Sequence, residues 1–182
     1  MSETVDKLLS QAAQARREDR HADAKRGLLE ALSLCRQAND SMQLAQALAA
    51  LGQIETDLGH ADAALQHYGE AAAIYRNAAD RLKLAHTIRH IGDIHRREGQ
   101  PELAEPFYRE ALALYRADER TPPLDLANAI RGLAILKHAA AEIEEARALW
   151  EEARSLYTVA NVKAGVAESS RRLALLASGR VC

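Results

Sequence analysis

The chain is predicted to be all-α, a solenoid of stacked helical hairpins, and three features of the sequence carry that reading. Ala, Leu, Glu, Arg and Gln dominate while aromatic residues make up only 4%, a mixture that favours helix over strand. Small and aromatic residues recur in fixed columns about 40 residues apart. Glycine, proline and aspartate stand where successive helices would stop and start.

The columns set the register. A small residue late in the first helix of each unit gives Ala12, Gly52, Gly92, Ala134 and Ala174. The second helix gives Ala24, Ala64, Ala104 and Ala146, followed by Leu28, Tyr68, Tyr108 and Trp150. Then come Ala31, Ala71, Ala111 and Ala153, and finally Cys35, Tyr75, Tyr115 and Tyr157. Steps of four, three and four residues keep each set on one helical face. Alanine lets helix axes approach, and the large residue fills the gap beside it. Gly52 and Gly92 each cost their helix about 1 kcal/mol, so a close contact with the partner helix of the same hairpin is expected to compensate.

Helices are predicted over about 3–18, 21–38, 41–58, 61–78, 81–98, 101–117, 122–140, 143–159 and 162–178. Asp40 and Asp80 are placed to cap new helices, and Gly59 and Gly99 to end old ones. Pro101 suits a first helical turn, as do Pro122 and Pro123. Pro106 lies a turn inside its helix and is expected to bend it. The segment Asp118–Leu126 carries two extra residues and forms the most variable joint. Nothing in it resembles a domain linker, so residues 1–182 are expected to form one domain.

The totals narrow the function. A net charge of −2 and a pI near 6.4 argue against general nucleic-acid binding. Cys35 and Cys182 are too far apart to read as a metal motif or a disulfide framework. No apolar run approaches the ~20 residues of a membrane span, and the N-terminal stretch is an amphipathic helix start without the apolar core of a secretion signal. A reduced, cytoplasmic protein is the expectation.

Ile91-Gly92, His95, Gly99, Ala104, Tyr108 and Ala111 form a pattern that resembles the tetratricopeptide repeat. Leu51-Gly52, Gly59, Ala64, Tyr68 and Ala71 match equally well, while the units carrying Ala12 and Ala134 match less fully. The resemblance covers nearly the whole chain as repeats at about 5–44, 45–84, 85–126 and 127–166, with 162–178 as a capping helix. A period of about 40 residues exceeds the usual 34 or so. It is similar to the longer subclass in kinesin light chains and bacterial regulatory proteins. HEAT and armadillo repeats share the period but not the Gly-x4-Ala-x3-Tyr-x2-Ala spacing. The resemblance implies a right-handed superhelix whose concave groove is lined by first helices. Two departures stand out. The first-helix aromatic is replaced by Ala15, Glu55, His95 and Lys137, which makes that corner polar, and the proline after the second helix is absent.

By that register the groove-facing residues include Gln53, His86, Arg89, His90, Asp93, Arg96, Asn128, Arg131, His138 and Arg171. Across all groove positions Arg16, Arg17, Arg89, Arg96, Arg97, Arg131 and Arg171 outnumber Asp6, Asp57, Asp93 and Glu168. The resemblance therefore implies a basic groove that binds a peptide or helix with acidic groups. Arg89, Arg131 and Arg171 would grip carboxylates, and Asn128 and Gln53 would hydrogen-bond the ligand backbone. His86 and His90 would tune binding by charging near pH ~6.5. A metal at His86, His90 and Asp93 is disfavoured because one helix rarely supplies a closed site. The family's carboxylate clamp is disfavoured too, since Leu9, Ala13, Ala50, His86 and His90 stand at its positions.

No phosphate-binding loop, dinucleotide glycine motif, HExxH or nucleophile elbow is present. Ser169, Ser170 and Cys35 lack a recognisable base, and Cys35 holds a tyrosine column position, so it reads as packing. A non-catalytic scaffold or adaptor without cofactor, metal, membrane or direct nucleic-acid contact is expected. The alternatives are a module that self-assembles as a homodimer through its terminal helices, where Leu173, Leu175 and Leu176 lie beside Ala174 and Ala177, and a sensor segment of a bacterial signalling system.

Overall fold

A computed structural model describes residues 2–178. Among them are nine helices: α1 (Ser2–Arg17), α2 (His21–Ala38), α3 (Ser41–Asp57), α4 (Ala61–Asn77), α5 (Arg81–Arg97), α6 (Pro101–Arg116), α7 (Pro123–Ala139), α8 (Ile143–Val159) and α9 (Lys163–Ala177). Every boundary falls within a residue or so of the sequence expectation. The chain divides into two compact units, Met1–Thr87 and Ile88–Cys182.

Each turn has the same cause. Asp19, Asn39, Gly59, Ala79, Gly99, Ala141 and Asn161 take left-handed backbone conformations, with φ between 52° and 78°. In each case the following N–H donates to the carbonyl five residues back: Arg20 to Ala15, Asp40 to Cys35, His60 to Glu55, Asp80 to Tyr75, Gln100 to His95, Glu142 to Lys137 and Val162 to Tyr157. These bonds satisfy carbonyls that a helix end otherwise leaves orphaned. The α6–α7 joint is the exception. Its two extra residues break the turn, and the Thr121 hydroxyl donates instead to the Tyr115 carbonyl at 2.8 Å. Asp40 and Asp80 cap as expected, accepting from the Gln43 and Lys83 amides at 3.0 and 3.1 Å. The helix α6 continues unbroken through Pro106, which lies on its exposed side.

In the first unit α1 packs on α2, α2 on α3, and α3 on α4; in the second α6 packs on α7, α7 on α8, and α8 on α9. The alanine and aromatic columns make the core. Ala24, Ala64, Ala104 and Ala146 are fully buried, as are Leu28, Tyr68, Tyr108 and Trp150 within 1%. A Cβ on Gly52 would stand 2.9 Å from the Tyr68 ring, and one on Gly92 would stand 3.2 Å from Tyr108. The contact within the hairpin that compensates each glycine is therefore present.

The second unit holds tighter contacts than the columns predicted. A Cβ on Gly132 of α7 would lie 2.3 Å from Tyr108, and one on Gly165 of α9 would lie 2.5 Å from Tyr157. Tyr108 is thus clasped by glycines from α5 and α7.

The polar corner is resolved by pairing. Glu55 is 2% exposed and accepts from Lys25 and His60, each at 2.7 Å. Burial pushes its carboxyl up, but the hydrogen bonds and charges of Lys25 and His60 outweigh that and hold it below the usual range. Lys137 is buried between Glu105 at 2.8 Å and Glu142 at 2.9 Å. His95, at the same corner, is half-buried and stacks on Phe107 at 5.6 Å between ring centroids.

Candidate ligand-binding surface

The first unit brings predicted ligand-facing positions of α1 and α3 together. They enclose an open pocket of about 180 Å³ with Leu9, Ala12, Ala13, Leu28, Ala50 and Ile54 for its floor and Arg16, Arg17 and Gln53 at its rim. Alanine at three of those positions leaves the volume open. Arg16 is spent on Asp57 of α3, to which both Nε and Nη2 donate, the latter at 3.2 Å. Arg17 has a different partner. Its Nε and Nη2 donate to the Gln14 amide oxygen at 3.3 and 2.7 Å, which orients the guanidinium without neutralising it. Gln53 is half-buried, and its amide has no hydrogen-bond partner among the described residues. His86, in this unit, is exposed.

In the second unit the predicted residues are mostly engaged with one another. Arg89 is 8% exposed and donates to Asp93 Oδ2 at 2.6 Å. The Tyr108 hydroxyl donates to Asp93 Oδ1 at 2.7 Å and accepts from Arg96 Nε at 3.2 Å. Burial first, then the Asp93 charge, pushes the Tyr108 phenol well above its ordinary value. Arg89 also lies 2.7 Å from His90 Nε2. In that contact the arginine N–H donates and the ring nitrogen accepts.

On the next first helix Arg131 forms a two-point ion pair with Glu168 of α9, at 2.7 and 3.0 Å. Burial raises the Glu168 carboxyl, and the Arg131 hydrogen bonds and charge bring it below its usual range. Asn128 accepts from the Tyr157 hydroxyl at 2.9 Å. His138 is not groove-facing but 4% exposed, because α7 is packed between α6 and α8 and its last turn lies within that packing. Neither of its ring nitrogens has a partner among the described residues, and burial, followed by the Arg172 charge, lowers its pKa. Arg171 is exposed and has no carboxylate within ion-pair distance among the described residues.

Register reasoning did not foresee the pairings among these residues. Asp93 and Glu168 occupy the donors of Arg89 and Arg131. The Arg89–Asp93 pair had a signal in the sequence, since opposite charges four residues apart on a helix are neighbours. Glu168 as the partner of Arg131 had none. Among the described residues no group of three or more His, Cys, Asp or Glu side chains is placed to hold a metal, and no helix is long and apolar enough to cross a membrane. Cys35 is buried, and burial raises its thiol pKa, which suits packing and not nucleophilic chemistry.

Helical hairpins with small–aromatic–small columns and αL turns define a helical-repeat protein. The repeat itself is identified by two family models, both described as tetratricopeptide repeat, which match residues 44–80 and 66–117. Residues 44–117 thus carry tetratricopeptide repeats. No curated protein sequence matches it. Several solved structures share its fold. Aspartyl phosphate phosphatase F from Bacillus subtilis superimposes with a TM-score of 0.88 at 16% identity, over 97% of this chain and 46% of that one. BtubC from P. vanneervenii gives 0.77 at 19% identity, over 87% and 65%. The Rap conjugation gene regulator of plasmid pLS20, solved with the Phr* peptide, gives 0.80 at 16% identity, over 93% and 46%. The chain therefore spans less than two-thirds of the length of each of these structures.

Proposed function

We propose that this protein is a non-catalytic interaction module that binds a peptide or a helix of a partner protein on its first-helix faces. The observation that carries this is the α1–α3 pocket, with an apolar floor, an oriented but unneutralised arginine and a free amide at its rim. A catalytic constellation has no counterpart there. The tetratricopeptide repeat generally binds peptides or proteins, and the pLS20 regulator of similar fold was solved with a peptide.

The preference for acidic groups rests on Arg17, Arg97 and Arg171, none of which has a carboxylate within ion-pair distance among the described residues. Arg89 supports its own helix and is not a gripping residue. Selection of displayed random peptides on the immobilised protein tests the reading. Clones enriched on the wild type and lost on Ala50→Trp, which fills the pocket, or on Arg171→Glu support it. An unchanged set of clones on both variants refutes it.

A second reading has one observation in its favour. Ala167, Ala174 and Ala177 of α9 are exposed, whereas the equivalent Ala127, Ala134 and Lys137 of α7 are buried. A helix from a second copy fits such a face, and sedimentation showing monomer alone at high concentration removes this reading.

A further inference from the structure

We infer that the α1–α3 pocket receives a leucine-sized aliphatic side chain followed directly by a single carboxylate; this rests on the interaction function proposed above and specifies its ligand. The pocket holds about 180 Å³. An apolar cavity of about 150 Å³ accommodates a benzene-sized group, so one branched aliphatic side chain fits where a larger cluster does not. Leu9, Leu28 and Ile54 give it a floor without polar atoms, which rewards an apolar occupant and penalises a polar one.

The carboxylate follows from Arg17. Gln14 holds one edge of its guanidinium, Nε and Nη2, through a neutral oxygen, so the group is oriented before any ligand arrives and has no carboxylate within ion-pair distance among the described residues. Arg16 beside it is already paired with Asp57, so one acid is matched and not two. The limit to one acid has a second cause. Beyond the two arginines the surface continues into a polar basin that includes Asp19, which disfavours a further negative charge there. Gln53, across the pocket, offers a donor and an acceptor to the ligand's main chain.

Three probes added to the full chain separate the elements of this inference, with binding followed by NMR through the Gln53 side-chain amide and the Ala13 and Ala50 methyl groups. N-acetyl-leucine carries a terminal carboxylate, N-acetyl-Leu-Glu-amide a side-chain carboxylate, and N-acetyl-leucinamide none. One of the two acids is expected to bind at least about tenfold more tightly than the amide, in line with a hydrogen bond to a charged group. Which of them does so tells whether the ligand presents a chain terminus or an internal acid. Arg17→Gln is expected to remove that advantage while leaving the binding of the amide, and Ala50→Trp to close the pocket to all three. Equal binding of acid and amide overturns the inference, as does a titration that leaves Gln53 unmoved by every probe. Displayed peptides that need the pocket yet lack an aliphatic–acid pair would overturn it while leaving the interaction function standing.

Discussion

Replacing Gly132 by alanine probes the tightest contact in the second unit. The new Cβ would stand 2.3 Å from Tyr108 Cε1, 2.5 Å from Cζ and 2.9 Å from Cδ1. The ring has little room to retreat. It is fully buried, Gly92 faces it from α5, and its hydroxyl is tied to Asp93 at 2.7 Å. Overpacking of this kind costs about 3 kcal/mol at the upper end of its usual range. Alanine regains about 1 kcal/mol of helix propensity over glycine, so a net loss of about 2 kcal/mol is expected. In a chain of this length that corresponds to roughly 4–8 °C in Tm. Gly27→Ala and Gly69→Ala are the controls, since a Cβ at either meets nothing within 4 Å. Both should gain up to about 1 kcal/mol. Urea and thermal unfolding followed by circular dichroism measure all three. A Gly132→Ala protein as stable as the wild type would refute the clasp around Tyr108.

Two further outcomes follow from backbone and burial. Ala79 and Ala141 hold φ of 55° and 58°, where a Cβ costs about 1–2 kcal/mol, partly offset by the greater chain entropy of glycine. Ala79→Gly and Ala141→Gly are therefore expected to stabilise by about 0.5–1 kcal/mol each, read from urea midpoints; destabilisation would show that the turns do not carry that strain. His138 is held neutral by burial and by Arg172, so its folded pKa lies below the ordinary 6.5. The unfolded chain then takes up the proton first, and the stability this histidine contributes, complete above pH 6.5, declines as pH falls below it. His138→Leu should flatten stability against pH in that range, and an unchanged profile would contradict the burial of the ring.

The fold was legible because its signals are local. Ala104, Tyr108, Ala111 and Tyr115 lie on one face by spacing alone, and Gly59 and Gly99 mark turns without reference to anything distant. Gly132 shows where that legibility ends. It stands outside the aligned column, since its importance comes from a ring in the preceding hairpin. The candidate surface mixes local and distant signals. Counting by register chose Leu9, Ala13, Arg16, Arg17 and Gln53, and α1 and α3 bring them to one pocket. The same counting placed His138 on the open face, although its surroundings bury it. Nor does register reveal that Glu168 meets Arg131, because that pairing joins residues 37 positions apart on different helices.

The repeated αL turn bears on how the chain acquires its structure. Each of the seven turns closes through bonds that reach back no more than five residues, so none waits for a distant segment to arrive. Contacts this local have a small loop-closure cost and favour rapid folding. They also mean that nucleation can begin at any hairpin and spread to its neighbours. The α6–α7 joint, which depends on a threonine hydroxyl for the same carbonyl, is the step where propagation should slow.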